Sequence, residues 1–196
     1  MKLLAFSDLH RDVEQARLLV ESSRAADVVI AGGDFASVHK GLEETIGALR
    51  PIDKPTLLVP GNNETEHALR EACQGWEGAV VLHGEGVELD GVSFFGLGGG
   101  VPVTPWDWSF DLTEDEAEAK LAGCPEDGVL VVHSPPKGYV DGRDLGSEAV
   151  LRAIERTQPQ LAVCGHIHEC WREEATIGRT RVVNLGPEGM LLDVRT

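Results

Sequence analysis

The sequence predicts an α/β fold built on a largely parallel sheet. Short apolar runs, rich in β-branched residues, recur along the chain, with the length and composition of buried strands. Between several of them lie stretches whose apolar residues recur at helical spacing. The chain has 196 residues, which suits one domain with a substantial core. Strand and helix alternating within a single core is the pattern of a parallel sheet covered by helices.

The elements follow in order. KLLAF at 2–6 is the first strand, and Val13, Ala16, Leu19 and Val20 then share one face of a helix. DVVIA at 27–31 is the second strand, followed by a helix with Leu42, Ile46 and Leu49 inward. TLLV at 56–59, AVVL at 79–82 and VSFF at 92–95 are further strands. A helix starts near Thr113, where Thr113 and Glu116 have the spacing of a capping box, and the acidic run DLTEDEAEAK reads as its solvated face. VLVV at 129–132 precedes a helix from about Ser147, with Val150, Leu151 and Ile154 inward and Pro159 beyond its end. LAVC at 161–164 is a strand, ATIGRTRVVN a hairpin turning near Gly178, and GMLLDV a last strand. No repeat or linker-like stretch divides the chain, so one domain is expected over 1–196.

Composition narrows the function. At 42% hydrophobic and 26% charged residues, the chain is ordinary for a soluble globular protein. Its 33 acidic residues against 17 basic ones give a net charge of −16, a surface that repels nucleic acid and anionic membranes. Neither is expected as a partner. Cys73, Cys124, Cys164 and Cys170 form no CxxC pair and read as reduced thiols, with Cys164 buried in its strand. The N-terminus lacks the apolar segment of a signal peptide, and no stretch approaches membrane-spanning length. A cytoplasmic location is expected.

The chemistry gathers at strand ends. The first strand runs into Ser7-Asp8-Leu9-His10, the second into Gly32-Gly33-Asp34, and the third into Pro60-Gly61-Asn62-Asn63-Glu64. VLVV ends on His133, and LAVC on Gly165-His166-Ile167-His168. Ligands of open α/β sheets bind beyond the carboxyl ends of the strands, and here five strands deliver Asp, His or Asn to that edge. Imidazole, carboxylate and amide donors without thiolate suit manganese, iron or zinc. In extended or turning backbone, the spacing of the Asp-x-His and His-x-His pairs aims both side chains to the same side. Asp34 has two carboxylate oxygens for two neighbouring ions.

In order and across nearly the whole chain, the series Asp-x-His, Gly-Asp, Gly-Asn-x-Glu, His and Gly-His-x-His resembles the calcineurin-like metallophosphoesterase superfamily. The stretches HSPPKGYVDGRDLGS, CGHIHE and VVNLG resemble its small single-domain bacterial and archaeal branch. The resemblance implies a four-layer α/β/β/α fold, a two-sheet β-sandwich flanked by helices. It also implies two divalent metal ions, one held by Asp8, His10, Asp34 and His168, the other by Asp34, Asn62, His133 and His166. Such a pair neutralises a phosphoester and makes hydroxide available near neutral pH, so a small soluble phosphoester is the expected substrate.

One position departs from the family pattern. Where the superfamily commonly has a His credited with protonating the leaving group, this chain has Asn63. An amide cannot act as an acid, though it can hydrogen-bond a phosphoryl oxygen. A preference for good leaving groups follows, which favours a phosphodiester or nucleotide, or else an acid from elsewhere, His39 being the candidate. A catalytically weakened binding or scaffold protein on the same fold is the alternative, and the intact ligand series argues against it. A nuclease of the superfamily would need a basic patch that the chain lacks. Arg11 either contacts substrate phosphate or is solvated. Trp106 and Trp108 either stack a ring over the site or cover the edge of the core. His39, His67 and His83 read as surface residues, His83 in a turn before Gly84. A homo-oligomer remains open.

Overall fold

Leu3 and Ala5 of the first strand alternate with Leu4 and Phe6, and all four are buried. Since alternate side chains leave a strand on opposite faces, such a strand needs cover on both sides. The computed structural model, which describes Met1–Thr196, shows how each face is covered. Leu3 and Ala5 pack with Phe94, Val131 and Val163 of a second sheet. Leu4 and Phe6 pack with Leu19, Ile46 and Leu69 of helices.

The first sheet has the strand order β11-β1-β2-β3-β4. It comprises β1 (Lys2–Phe6), β2 (Val28–Ala31), β3 (Thr56–Leu58), β4 (Ala79–Val81) and β11 (Met190–Asp193). Strands β1 to β4 are parallel and β11 is antiparallel to β1. The second sheet has the order β5-β6-β7-β8-β10-β9, from β5 (Glu85–Leu89), β6 (Val92–Leu97), β7 (Val129–Val132), β8 (Leu161–Cys164), β9 (Glu174–Ile177) and β10 (Thr180–Asn184). Its four inner strands are parallel and its two edges antiparallel. Helices α1 (Val13–Ser23), α2 (Leu42–Leu49) and α3 (Glu66–Ala72) cover the first sheet, and α4 (Glu114–Leu121) and α5 (Glu148–Thr157) the second. Alternation alone predicts one parallel sheet; the molecule has two mixed ones, as the family resemblance implies.

Two elements escape the periodicity reading. Strand β5, Glu-Gly-Val-Glu-Leu, is an edge strand with three exposed or polar positions and no apolar run. Its hairpin partner is reached through Asp90 and Gly91, both at positive φ (48° and 80°), the Asp-Gly pair of a tight two-residue turn. Helix α3 is short, capped by Thr65, whose side chain accepts from the Ala68 amide. His83 also differs from expectation. It is buried rather than on the surface, because the glycine-rich loop after β6, residues 98–110, folds back over it: its Nδ1 accepts from the Gly98 amide at 3.2 Å and its ring meets Phe110. All four cysteines are buried and free. No helix is long and apolar enough to cross a membrane.

Candidate metal centre

The five strands that carry the candidate ligands belong to both sheets. Asp8 and His10 follow β1, Asp34 follows β2 and Asn62 follows β3; His133 follows β7, and His166 and His168 follow β8. Their carboxyl ends meet along one rim of the sandwich. There Asp8, His10 and His168 form one cluster and Asp34, His133 and His166 another, with one potential ligand atom per residue lying within 4.8 Å of the others in its cluster. Asp34 touches both: its Oδ2 is 3.5 Å from His10 Nε2 and its Oδ1 is 3.5 Å from His133 Nε2.

The backbone is bent hard to achieve this. Asp8, His10, Asp34 and His166 all have positive φ (57°, 45°, 58° and 69°), a region costly for residues with a Cβ and found where function over-determines conformation. Glycines let the loops close. A Cβ on Gly33 would lie 2.6 Å from the Gly61 amide and 2.8 Å from His133 Nδ1, and one on Gly165 would lie 2.5 Å from an Asp8 oxygen.

The donor chemistry fits cations. His133 donates Nδ1–H to the Gly32 carbonyl at 2.8 Å, so in its neutral form the ring turns a bare Nε2 lone pair toward Asn62 Oδ1 at 3.2 Å. His10 likewise offers Nδ1 to the Ala36 carbonyl and brings Nε2 to 3.0 Å from His168 Nε2. Lone pairs converging in this way repel unless positive charge lies among them. The field says the same: burial alone would push His133 down, but Asp34 and Asp8 outweigh it and hold the imidazole above its usual range. Burial, aided by His133, pushes His166 down to about 4, and burial also lowers His168. Rings that stay neutral near pH 7 are available as ligands.

Several supporting residues carry no sequence signal of their own. Asp8 Oδ2 accepts from Ser7 Oγ (2.6 Å) and from Trp171 Nε1 (3.2 Å). The Trp171 ring also lies against His168, centroids 4.5 Å apart. Glu64, buried, accepts from the backbone amides of Asp34, Ala36 and Gly61, tying the Asp34 loop to the Asn62 loop; burial and Asp34 push it up to about 7. The Gly-Asn-x-Glu motif marks Glu64, whereas nothing local marks Trp171.

The remaining candidates divide. Asn63 does not face outward. Its amide donates to Asp34 Oδ2 at 2.8 Å while its own oxygen accepts from the Val38 amide, and its backbone N–H binds Asp34 Oδ1. It holds Asp34 rather than a phosphoryl oxygen. His39 is exposed, with Nε2–H donated to the Trp108 carbonyl at 2.6 Å. Arg11 is exposed and makes no ion pair. Trp106 and Trp108 stack on each other, centroids 5.6 Å apart and planes 12° from parallel. Trp106 is 50% exposed and neither ring belongs to a core cluster.

A family model described as the calcineurin-like phosphoesterase superfamily domain matches residues 1–194. The chain belongs to that superfamily. Among curated relatives, a UPF0046 protein of Caenorhabditis elegans is 29% identical over 192 residues, covering 86% of this chain and 64% of its own length. Metallophosphoesterase domain-containing protein 1 of Homo sapiens is 31% identical over 137 residues, covering 65% of this chain and 39% of its own. The chain spans 39% to 64% of the length of these relatives. Among solved structures, TT1561 of Thermus thermophilus superposes with a TM-score of 0.77 at 18% identity, covering 95% of this chain and 90% of that one. A dimetal phosphatase from Danio rerio gives 0.64 at 14% identity, covering 95% and 88%. These superpositions show that the chain shares its two-sheet fold with those proteins.

Proposed function

We propose that this calcineurin-like phosphoesterase domain hydrolyses a small soluble phosphoester with two divalent cations, manganese, iron or zinc. A phosphodiester or nucleotide is favoured as substrate. The observation that carries the proposal is Asp34, one buried carboxylate with an oxygen in each of two converging clusters. Asp8, His10, Asp34 and His168 would hold one cation, and Asp34, Asn62, His133 and His166 the other. When bound, such a pair supplies charge neutralisation for the phosphoryl group and activation of water.

The chain's own residues set the terms. Asn63, with its backbone N–H and one side-chain N–H on the two Asp34 oxygens, fixes the plane of the shared carboxylate. Arg11, exposed and unpaired beside His10, is placed to meet a phosphate oxygen. The Trp106–Trp108 stack stands on a loop tied to His39 and offers an exposed aromatic face to a ring on the substrate. Asn63 has no acidic proton and His39 has its Nε2–H on the Trp108 carbonyl, which favours esters whose alcohol leaves without help. The net charge of −16 leaves nucleic acid and anionic membrane outside the proposed partners. The acid-free centre is also what favoured a scaffold role, but a scaffold has no need of paired clusters on strained backbone.

Hydrolysis of bis(p-nitrophenyl) phosphate by the full chain, restored by manganese(II) after chelation, is the expected result. Asp34→Asn should lower it by at least ~10²-fold, the scale of losing one preorganised charged group at a reacting centre. Turnover that survives both chelation and Asp34→Asn would refute the proposal.

A further inference from the structure

Asn62 is the one amide among the seven candidate ligands, and an amide can ligate a cation only through its oxygen. Asn63 Nδ2 lies 3.5 Å from the Asn62 oxygen on the cluster side, and the shorter contact that orients the amide lies outside the cluster. Asn62 Nδ2 lies 2.8 Å from Ser109 Oγ, and Ser109 Oγ lies 2.6 Å from Asp111 Oδ1. The other Asp111 oxygen accepts from the Thr104 amide at 2.7 Å and from Thr104 Oγ at 2.8 Å. The Phe110 amide donates to the Asn62 carbonyl at 2.9 Å, so the two loops are joined through backbone as well.

Counting protons fixes the direction of the chain. A backbone N–H only donates, so Asp111 must present an acceptor to Thr104. An ionised carboxylate also presents only acceptors to Ser109, so the single Ser109 hydrogen goes to Asp111. Ser109 therefore has lone pairs alone for Asn62, and Asn62 must turn its NH₂ outward and its oxygen inward, 3.2 Å from His133 Nε2.

We propose that Ser109 and Asp111 are positioning residues that set the ligating end of Asn62 and thereby the affinity of the second cation. Neither belongs to the ligand set, and they lie on the glycine-rich loop that also bears the Trp pair. The inference rests on the two-cation reading above. It predicts an unusual response to an isosteric change. In Asp111→Asn the Thr104 N–H still demands the oxygen, which leaves the new NH₂ facing Ser109. Ser109 then accepts from residue 111 and has its own hydrogen free to donate to Asn62, which lets the Asn62 amide reverse and point its NH₂ at the cluster.

The test is titration of the metal-free full chain with manganese(II), following bound metal per chain. Wild type should take up two ions. Ser109→Ala should weaken one of them by roughly 10–100-fold, the usual effect of losing a group that orients a ligand, and leave the other unchanged. Asp111→Asn should weaken the same ion at least as much, and Ser109→Thr, which keeps the hydroxyl, should bind as wild type does. A purely structural role would not single out one of two ions or be rescued by Thr. Two ions bound with wild-type affinity in both Ser109→Ala and Asp111→Asn would overturn the inference alone. No uptake by wild type would overturn the two-cation reading and the inference with it.

Discussion

Asn63 stands where the family resemblance implies a histidine, and its surroundings show what an amide does there. The side chain binds the shared Asp34 carboxylate through one N–H and the Val38 amide through its oxygen, so an amide suffices to fix Asp34. What it lacks is a transferable proton. General acid help is worth on the order of 10²–10⁴ in rate when the leaving alcohol is poor. Asn63→His should therefore raise turnover of an alkyl phosphodiester by at least ~10-fold, while p-nitrophenyl ester turnover changes little. A steady-state comparison of the two substrates reads this, and an unchanged ratio with both ions bound would remove the explanation.

At the scale of elements, the acidic helix α4 does more than present a solvated face. Glu116 closes the capping box with Thr113, as the spacing indicates. Glu114 reaches across to the start of α5, where it accepts from Ser147 Oγ (2.9 Å), the Glu148 amide (3.0 Å) and the Ala149 amide (2.7 Å). A carboxylate among the free N–H groups of a helix start is favourable through both hydrogen bonding and the helix dipole. Glu114→Ala should cost ~1–2 kcal/mol, lowering the thermal midpoint by roughly 2–8 °C for a chain of this size. Calorimetry at neutral pH measures it. A midpoint within experimental error of wild type would mean that water replaces the carboxylate without loss. Ser147 as the α5 cap was readable from sequence; the partner from α4 was not, since nothing local reports which helices become neighbours.

Over the whole molecule, buried titratable groups give the metal-free protein a distinctive pH response. Burial pushes His83 down to about 4, and His166 sits equally low. Each binds a proton in the unfolded chain below about 6.5 but not in the fold until near pH 4, so each takes stability away as pH falls through that window. Glu64, raised to about 7, works oppositely, favouring the fold as pH falls from about 7 toward its ordinary value. His168 is lowered too and the raised His133 acts with Glu64, so three histidines stand against two groups and leave a net loss on acidification. The thermal midpoint of chelated protein should be lower at pH 5 than at pH 7, and the gap should narrow in His83→Gln, which keeps an acceptor for the Gly98 amide. A gap that does not narrow would assign the response to other groups.

The order of strands and helices, the faces of α1, α2 and α5, and the set of polar residues at strand ends follow from local rules. Apolar periodicity, capping chemistry and ligand-type residues placed just after apolar runs are properties of neighbours in sequence. Local rules did not decide the division of the strands into two sheets, which only the family resemblance implied, and tertiary structure alone decided the burial of His83, the inward turn of Asn63 and the roles of Trp171, Ser109 and Asp111. Each depends on groups tens of residues apart, brought together only when two sheets stack and long loops fold over their shared rim. Local sequence sets which way a chain segment bends. Which distant hydrogen-bond partner it then meets depends on burying the whole core at once.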